Sequence, residues 1–94
     1  MAKVVKGDAR FLQQQLLRAM IGDTEALYEL GVAYSVGGDG VDMNLIEAHK
    51  WFNLAAAKGD VRAKENRSEV ASEMNSEEIA AAQREARAFL KAAA

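Results

Sequence analysis

Residues 44–60 read NLIEAHKWFNLAAAKGD. Leu45, Ala48, Trp51, Phe52, Ala55 and Ala56 recur at the spacing that puts them on one face of a helix. A helix therefore begins near Met43 or Asn44 and runs to Lys58, where Gly59 stops it. Aromatic residues make up only 6% of the chain, and Trp51 and Phe52 stand side by side here. An apolar face that heavy needs a partner helix to bury it.

The partner lies upstream. Asp23 or Thr24 can cap a helix from about Glu25 to Val36, whose core stripe is Ala26, Leu27, Leu30, Gly31 and Tyr34. Gly31 falls mid-helix, where glycine costs up to ~1 kcal/mol relative to alanine. Such a glycine points to a close approach by a neighbouring helix. Leu30, Tyr34, Trp51 and Phe52 would then interlock two antiparallel helices joined by the turn Gly37-Gly38-Asp39-Gly40.

Further out, Phe11, Leu12, Leu16, Leu17 and Met20 form the apolar stripe of a helix from Ala9 to Ile21. Asp8 is its N-cap candidate and Gly22 its stop, while Gln13, Gln14, Gln15 and Arg18 fill the opposite face. Asp60 opens a fourth helix with a weak stripe of Val61, Ala63, Val70, Ala71 and Met74; its many polar residues imply exposure. Asn75 and Glu78 have the spacing of a capping box. The fifth helix they open carries Ile79, Ala82, Ala86, Phe89 and Leu90 inward, with Lys91 favourably placed in its last turn.

Half of the 94 residues are apolar, much of that alanine, and proline is absent. Both features favour helices. The expected fold is all-α, a single domain over 1–94 with about five helices. The formal charge is −2 with acids and bases interleaved, which argues against a general nucleic-acid binder. There is no cysteine, hence no disulfide or thiolate site. No apolar run approaches the roughly 18 residues of a membrane span, and Met1 to Arg10 has no apolar signal region. The expectation is a cytoplasmic protein that engages no membrane.

Gly22-Asp23 and Gly59-Asp60 each follow one helix and open another, 37 residues apart. That period suits a helix-turn-helix repeat. Ala26-Leu27-Tyr28-Glu29-Leu30-Gly31-Val32-Ala33-Tyr34 carries alanine, then Leu-Gly, then tyrosine three residues on. Gly40-Val41 supplies a turn; Ala48, Trp51, Ala55, Ala56 and Gly59 complete a spaced pattern. In these residues the chain resembles the Sel1-like repeats of bacterial type, a tetratricopeptide-like family. Residues 47–60 are the closest part of the likeness, which covers Glu25 to Asp60. Residues 74–83, MNSEEIAAAQ, resemble the helix that often caps such arrays. The resemblance implies a short α-α superhelix, with a well-formed repeat over 23–60, a degenerate or capping repeat over 60–93 and an N-terminal helix over 9–21. The Gly37 to Val41 turn is one residue longer than the commonest form. Stacked repeats normally need about three units, so flanking helices must cap the single good one.

A repeat of this type exposes the outer face of its first helix as a concave wall. Removing the core stripe from the Glu25 to Val36 helix leaves Glu25, Tyr28, Val32, Ser35 and Val36. Tyr28, Val32 and Val36 form an apolar strip, suited to a partner's helix or extended segment. Alternatively, the first or fourth helix of the same chain covers it. His49, the lone histidine, falls on the third helix beside Lys50, away from the apolar stripe, and is expected on the surface, with no orienting group or reacting group evident. The Gly37 to Asp42 turn lacks the Lys-Ser/Thr of a phosphate loop and the acid spacing of a calcium loop. Arg84, Arg87 and Lys91 share a helical face that an acidic partner could use.

No catalytic residue, metal site or cofactor is expected. The reading is a non-enzymatic protein-binding adaptor, with the partner face at Glu25, Tyr28, Val32, Ser35 and Val36. The alternatives are a small regulator that occludes an enzyme surface, or a self-assembling structural protein whose strip meets its own copy across a two-fold axis.

Overall fold

The computed structural model describes residues 9–38 and 40–93. Five helices are present among them and no strand: α1 (Ala9–Met20), α2 (Thr24–Val36), α3 (Leu45–Ala57), α4 (Val61–Ala71) and α5 (Ser76–Ala93). The protein is all-α. No helix among the described residues is long and apolar enough to cross a membrane. Asp8, the expected cap of α1, lies outside the described residues, as does Asp39.

Helix α3 forms where its sequence dictates. Asn44 is in extended backbone and its Oδ1 accepts from the Glu47 amide at 3.1 Å, satisfying one of the donors a helix start leaves free. Glu47 in turn accepts from Trp51 Nε1 at 2.9 Å, so the indole enters the core with its one polar atom paired. The helix touches α2, α4 and α5. Because neighbours surround it on three sides, its buried set widens to Ala48, His49, Trp51, Phe52, Leu54 and Ala55. His49 is therefore not a surface residue: it is 4% exposed. The single-stripe reading failed there because it allowed α3 only one partner.

The α2–α3 contact depends on Gly31. A Cβ built there would lie 2.5 Å from two carbons of the Phe52 ring, closer than any real contact. Leu30 and Phe52 are the largest fully buried side chains on the two helices. Tyr34 remains half-buried at the edge.

The two Gly-Asp corners fold alike. Gly22 has φ +88 and Gly59 φ +100, a left-handed geometry that side-chain-bearing residues rarely adopt. At the first corner the Gly22 and Asp23 amides donate to Ala19 and Arg18 carbonyls; at the second, Gly59 and Asp60 donate to Ala56 and Ala55. Both pairings are Schellman closures. Asp23 and Asp60 then cap the next helix from nearly the same backbone geometry, φ −70 ψ 108 and φ −78 ψ 109. Each accepts from the amide three residues on, Asp23 from Ala26 and Asp60 from Ala63.

Identical corners make α4 follow α3 as α2 follows α1. In consequence α4 lies along α2 in the same direction, Arg62 meeting Glu25 and Asn66 meeting Tyr28 at sequence separations of 37 and 38. Helix α5 lies along α3, with Trp51 and Phe89 edge to face at 4.9 Å between centroids and Lys50 Nζ 3.8 Å from Glu85. The capping box of α5 is closed: the Asn75 amide donates to Glu78 and the Glu78 amide to Asn75, at 2.9 and 2.8 Å.

On three helices part of the expected apolar face stays exposed. On α1 the inward row is Leu12, Gln15, Leu16 and Ala19; Gln15 is buried whereas Leu17 and Met20 are exposed. α1 packs chiefly on α2, so one narrow row is covered and the rest of its wide apolar arc is left out. On α5, Ala82 and Ala86 are buried and Leu90 is exposed; on α4, Val61 is exposed. Both lie near the ends of their helices.

Gly31→Ala tests the close approach. Helix propensity alone would favour it by up to ~1 kcal/mol, whereas overpacking costs about 1–3 kcal/mol. Urea denaturation should show net destabilisation, part of which Phe52→Leu in the double variant recovers. A more stable Gly31→Ala single variant would refute the contact's importance.

Candidate functional site

The α2 residues singled out by sequence divide into two groups. Glu25 and Tyr28 are engaged by α4. Arg62 Nη2 donates to Glu25 at 2.8 Å and to Asp60 at 2.7 Å, and its guanidinium carbon stands 3.9 Å from the Tyr28 ring centroid. The phenol oxygen of Tyr28 accepts from Asn66 at 3.4 Å, and its ring leans on Phe52 at 5.8 Å. Two carboxylate partners hold the Arg62 guanidinium strongly protonated, the Asp60 bond first. The same bond pulls the Asp60 carboxyl below its ordinary range, as the Arg18 bond does for Asp23. One cation thus pins the cap of α4 to the edge of α2.

Val32, Ser35 and Val36 lie on later turns of α2. Val32 is half-buried and packs against the core. Ser35 Oγ donates to the Val32 carbonyl at 2.9 Å, and Val36 is 69% exposed. The strip is therefore covered by α4 at its first residue and open at its last.

Beside that open end is a pocket of about 230 Å³, lined among others by Ser35, Phe52, Asn66, Glu69, Val70 and Glu73. Its floor is apolar, from Phe52 and Val70, both buried. Its rim carries the exposed Glu69 and Glu73, which form no ion pair among the described residues. An aliphatic stem ending in a cation fits that combination: the methylenes meet the floor and the charge meets the carboxylates. Asn66, Glu69 and Glu73 were absent from the sequence-derived site because α4 reads as an ordinary solvated helix. A signal was present in the repeat offset. Adding 37 to Val32 and Val36 gives Glu69 and Glu73, so Glu69 on α4 and Glu73 in the turn after it hold the equivalent positions in the second unit.

Chemically active groups are elsewhere and enclosed. His49 lies in the core with Nδ1 unpaired among the described residues. Burial, then the nearby Arg67 charge, lowers its pKa from 6.5. Arg67 itself donates to Asn53 at 2.6 Å. Among the described residues, no group of three or more His, Cys, Asp or Glu could hold a metal ion.

Because His49 is held neutral, the unfolded chain binds its proton more readily. Its contribution to stability is complete above pH 6.5 and is lost as pH falls from there towards the depressed folded-state value. The Asp23 and Asp60 carboxyls contribute above 3.8 and lose that stability only below it. Urea melts at about pH 7 and about pH 5 should show the wild type weakening across this window, and His49→Leu weakening less. Equal slopes for the two proteins would exclude the assignment.

Comparison with known proteins adds no identity: no family model, no curated protein and no solved structure matches this chain.

Proposed function

We propose that this chain is a non-enzymatic protein-binding module, a short Sel1-like, tetratricopeptide-like stack of helix pairs that works in the cytoplasm. The supporting observation is the shared register: α4 lies on α2, and α5 on α3, at separations close to the sequence repeat. Stacking of that kind lines up the first helices of successive units into one wall. Here that wall is α2 and α4, and the pocket between Ser35 and Glu73 opens on it.

The partner is a protein segment laid across Val36, Ser35, Glu69 and Glu73, presenting a lysine or arginine to the two carboxylates. Glu25 and Tyr28 serve the face indirectly, by fixing α4 against α2 through Arg62 and Asn66. Val32 supports it from below. An adaptor role follows from a face that binds without reacting: the pocket's polar side chains are a serine, an asparagine and two glutamates, with no oriented nucleophile–base pair.

Affinity purification of the tagged protein from its host, read by mass spectrometry, tests this reading. A partner recovered by the wild type should be lost with Glu69→Lys/Glu73→Lys and with Val36→Asp. Far-UV circular dichroism and the melting curve should stay unchanged, because all three side chains are exposed. Partners retained by both variants would exclude this face.

A further inference from the structure

At the opposite end of the molecule, α1, α3 and α5 finish together. Leu17, Met20 and Ile21 at the close of α1 are 66, 47 and 84% exposed, and Leu90 near the close of α5 is 56% exposed. Between these ends runs a cleft of about 130 Å³, walled by Ala19, Met20, Leu27, Leu54, Phe89 and Leu90. Single exposed leucines need no explanation, but Met20 and Leu90 line the cleft itself and Leu17 and Ile21 neighbour Met20 along the chain, and such a cluster marks an interaction surface.

The charge around it that is not held in ion pairs has one sign. Lys58 lines the cleft. Arg87, one turn before Leu90, and Lys91, next to it, are exposed on the flank of α5. None of the three forms an ion pair among the described residues. Nearby acids are already spent: Asp23 on Arg18 at 2.7 Å, and Glu85 towards Lys50. Lys58 and Lys91 complement helix C-termini; Arg87 lies before the last turn, and that effect does not account for it. The chain as a whole is net acidic at −2, so this basic rim runs against its overall charge.

We propose that this cleft docks an acidic amphipathic helix of a protein partner, its apolar residues seated between α1 and α5 and its carboxylates on Lys58, Arg87 and Lys91. A helix fits because the walls are the closing turns of two helices, which offer an apolar groove and no strand edge to extend. A second copy meeting it across a two-fold axis would bring basic rim against basic rim, which opposes self-association. The surface is separate from the α2/α4 face, and neither proposal depends on the other.

The test uses ¹⁵N-labelled protein and a synthetic amphipathic peptide of about 16 residues, roughly four turns, with leucines on one face and glutamates flanking them. The control peptide carries lysines in place of the glutamates. Amide shifts should map to Met20, Gly22, Leu27, Lys58 and Leu90, with the acidic peptide binding at least about tenfold tighter than the basic one. Arg87→Glu/Lys91→Glu should reverse that preference. Ile21→Glu should weaken both peptides without loss of helicity. Equal affinities, shifts confined to the Ser35 and Glu73 face, or no shifts at all would overturn the proposal. So would a dimer in sedimentation that Ile21→Glu dissolves.

Discussion

Phe52 occupies the space that a side chain on residue 31 would need, and the arrangement of the other helices follows from that contact. With Gly31 beneath its ring, α3 lies close enough to α2 for Leu30, Ala48 and Ala55 to be fully enclosed. α3 thereby becomes the element to which α2, α4 and α5 all attach. The mid-helix glycine has a cost of up to ~1 kcal/mol in propensity. Full burial of a side chain the size of Phe52, roughly 1.5–3 kcal/mol, offsets it. Trp51 then serves the other side of the same helix, edge-on to Phe89 and tied by its indole nitrogen to Glu47.

A second constraint is the corner. Gly-Asp occurs twice, each time as a Schellman closure followed by an aspartate cap. Repeating one corner repeats one helix-to-helix displacement, and so α4 comes to rest on α2 and α5 on α3. Asn66 and Glu69 of α4, with Glu73 in the turn after it, sit beside the end of α2 and give the pocket there an acidic rim over an apolar floor. The opposite end of the stack has the reverse character, with exposed leucine, methionine and isoleucine beside uncompensated cations.

Much of the fold was legible because local rules decide it. Helical periodicity gave the helices, Asp23, Asn44, Asp60 and the Asn75–Glu78 pair their starts, and Gly22, Gly37 and Gly59 their ends. The reason Gly31 stands mid-helix was legible too, since a glycine there is unfavourable without a close neighbour. The candidate site was legible in part. Of the residues that line the pocket, Ser35 is on the α2 face named from sequence, whereas Glu69 and Glu73 lie on α4 and in the turn after it, a segment whose own pattern is that of a solvated face.

Local spacing and backbone preference, then, specify the helices, their caps and corners, and the residues that lock α2 to α3. Each depends on backbone geometry or spacing within a few turns. Which arc of each helix is covered was decided only by the tertiary structure, because burial depends on how many neighbours a helix acquires. Three neighbours drew His49 and Leu54 of α3 into the core; one principal neighbour left Leu17 and Met20 of α1 outside it. The same count placed Tyr28 beneath Arg62 while leaving Val36 open to solvent.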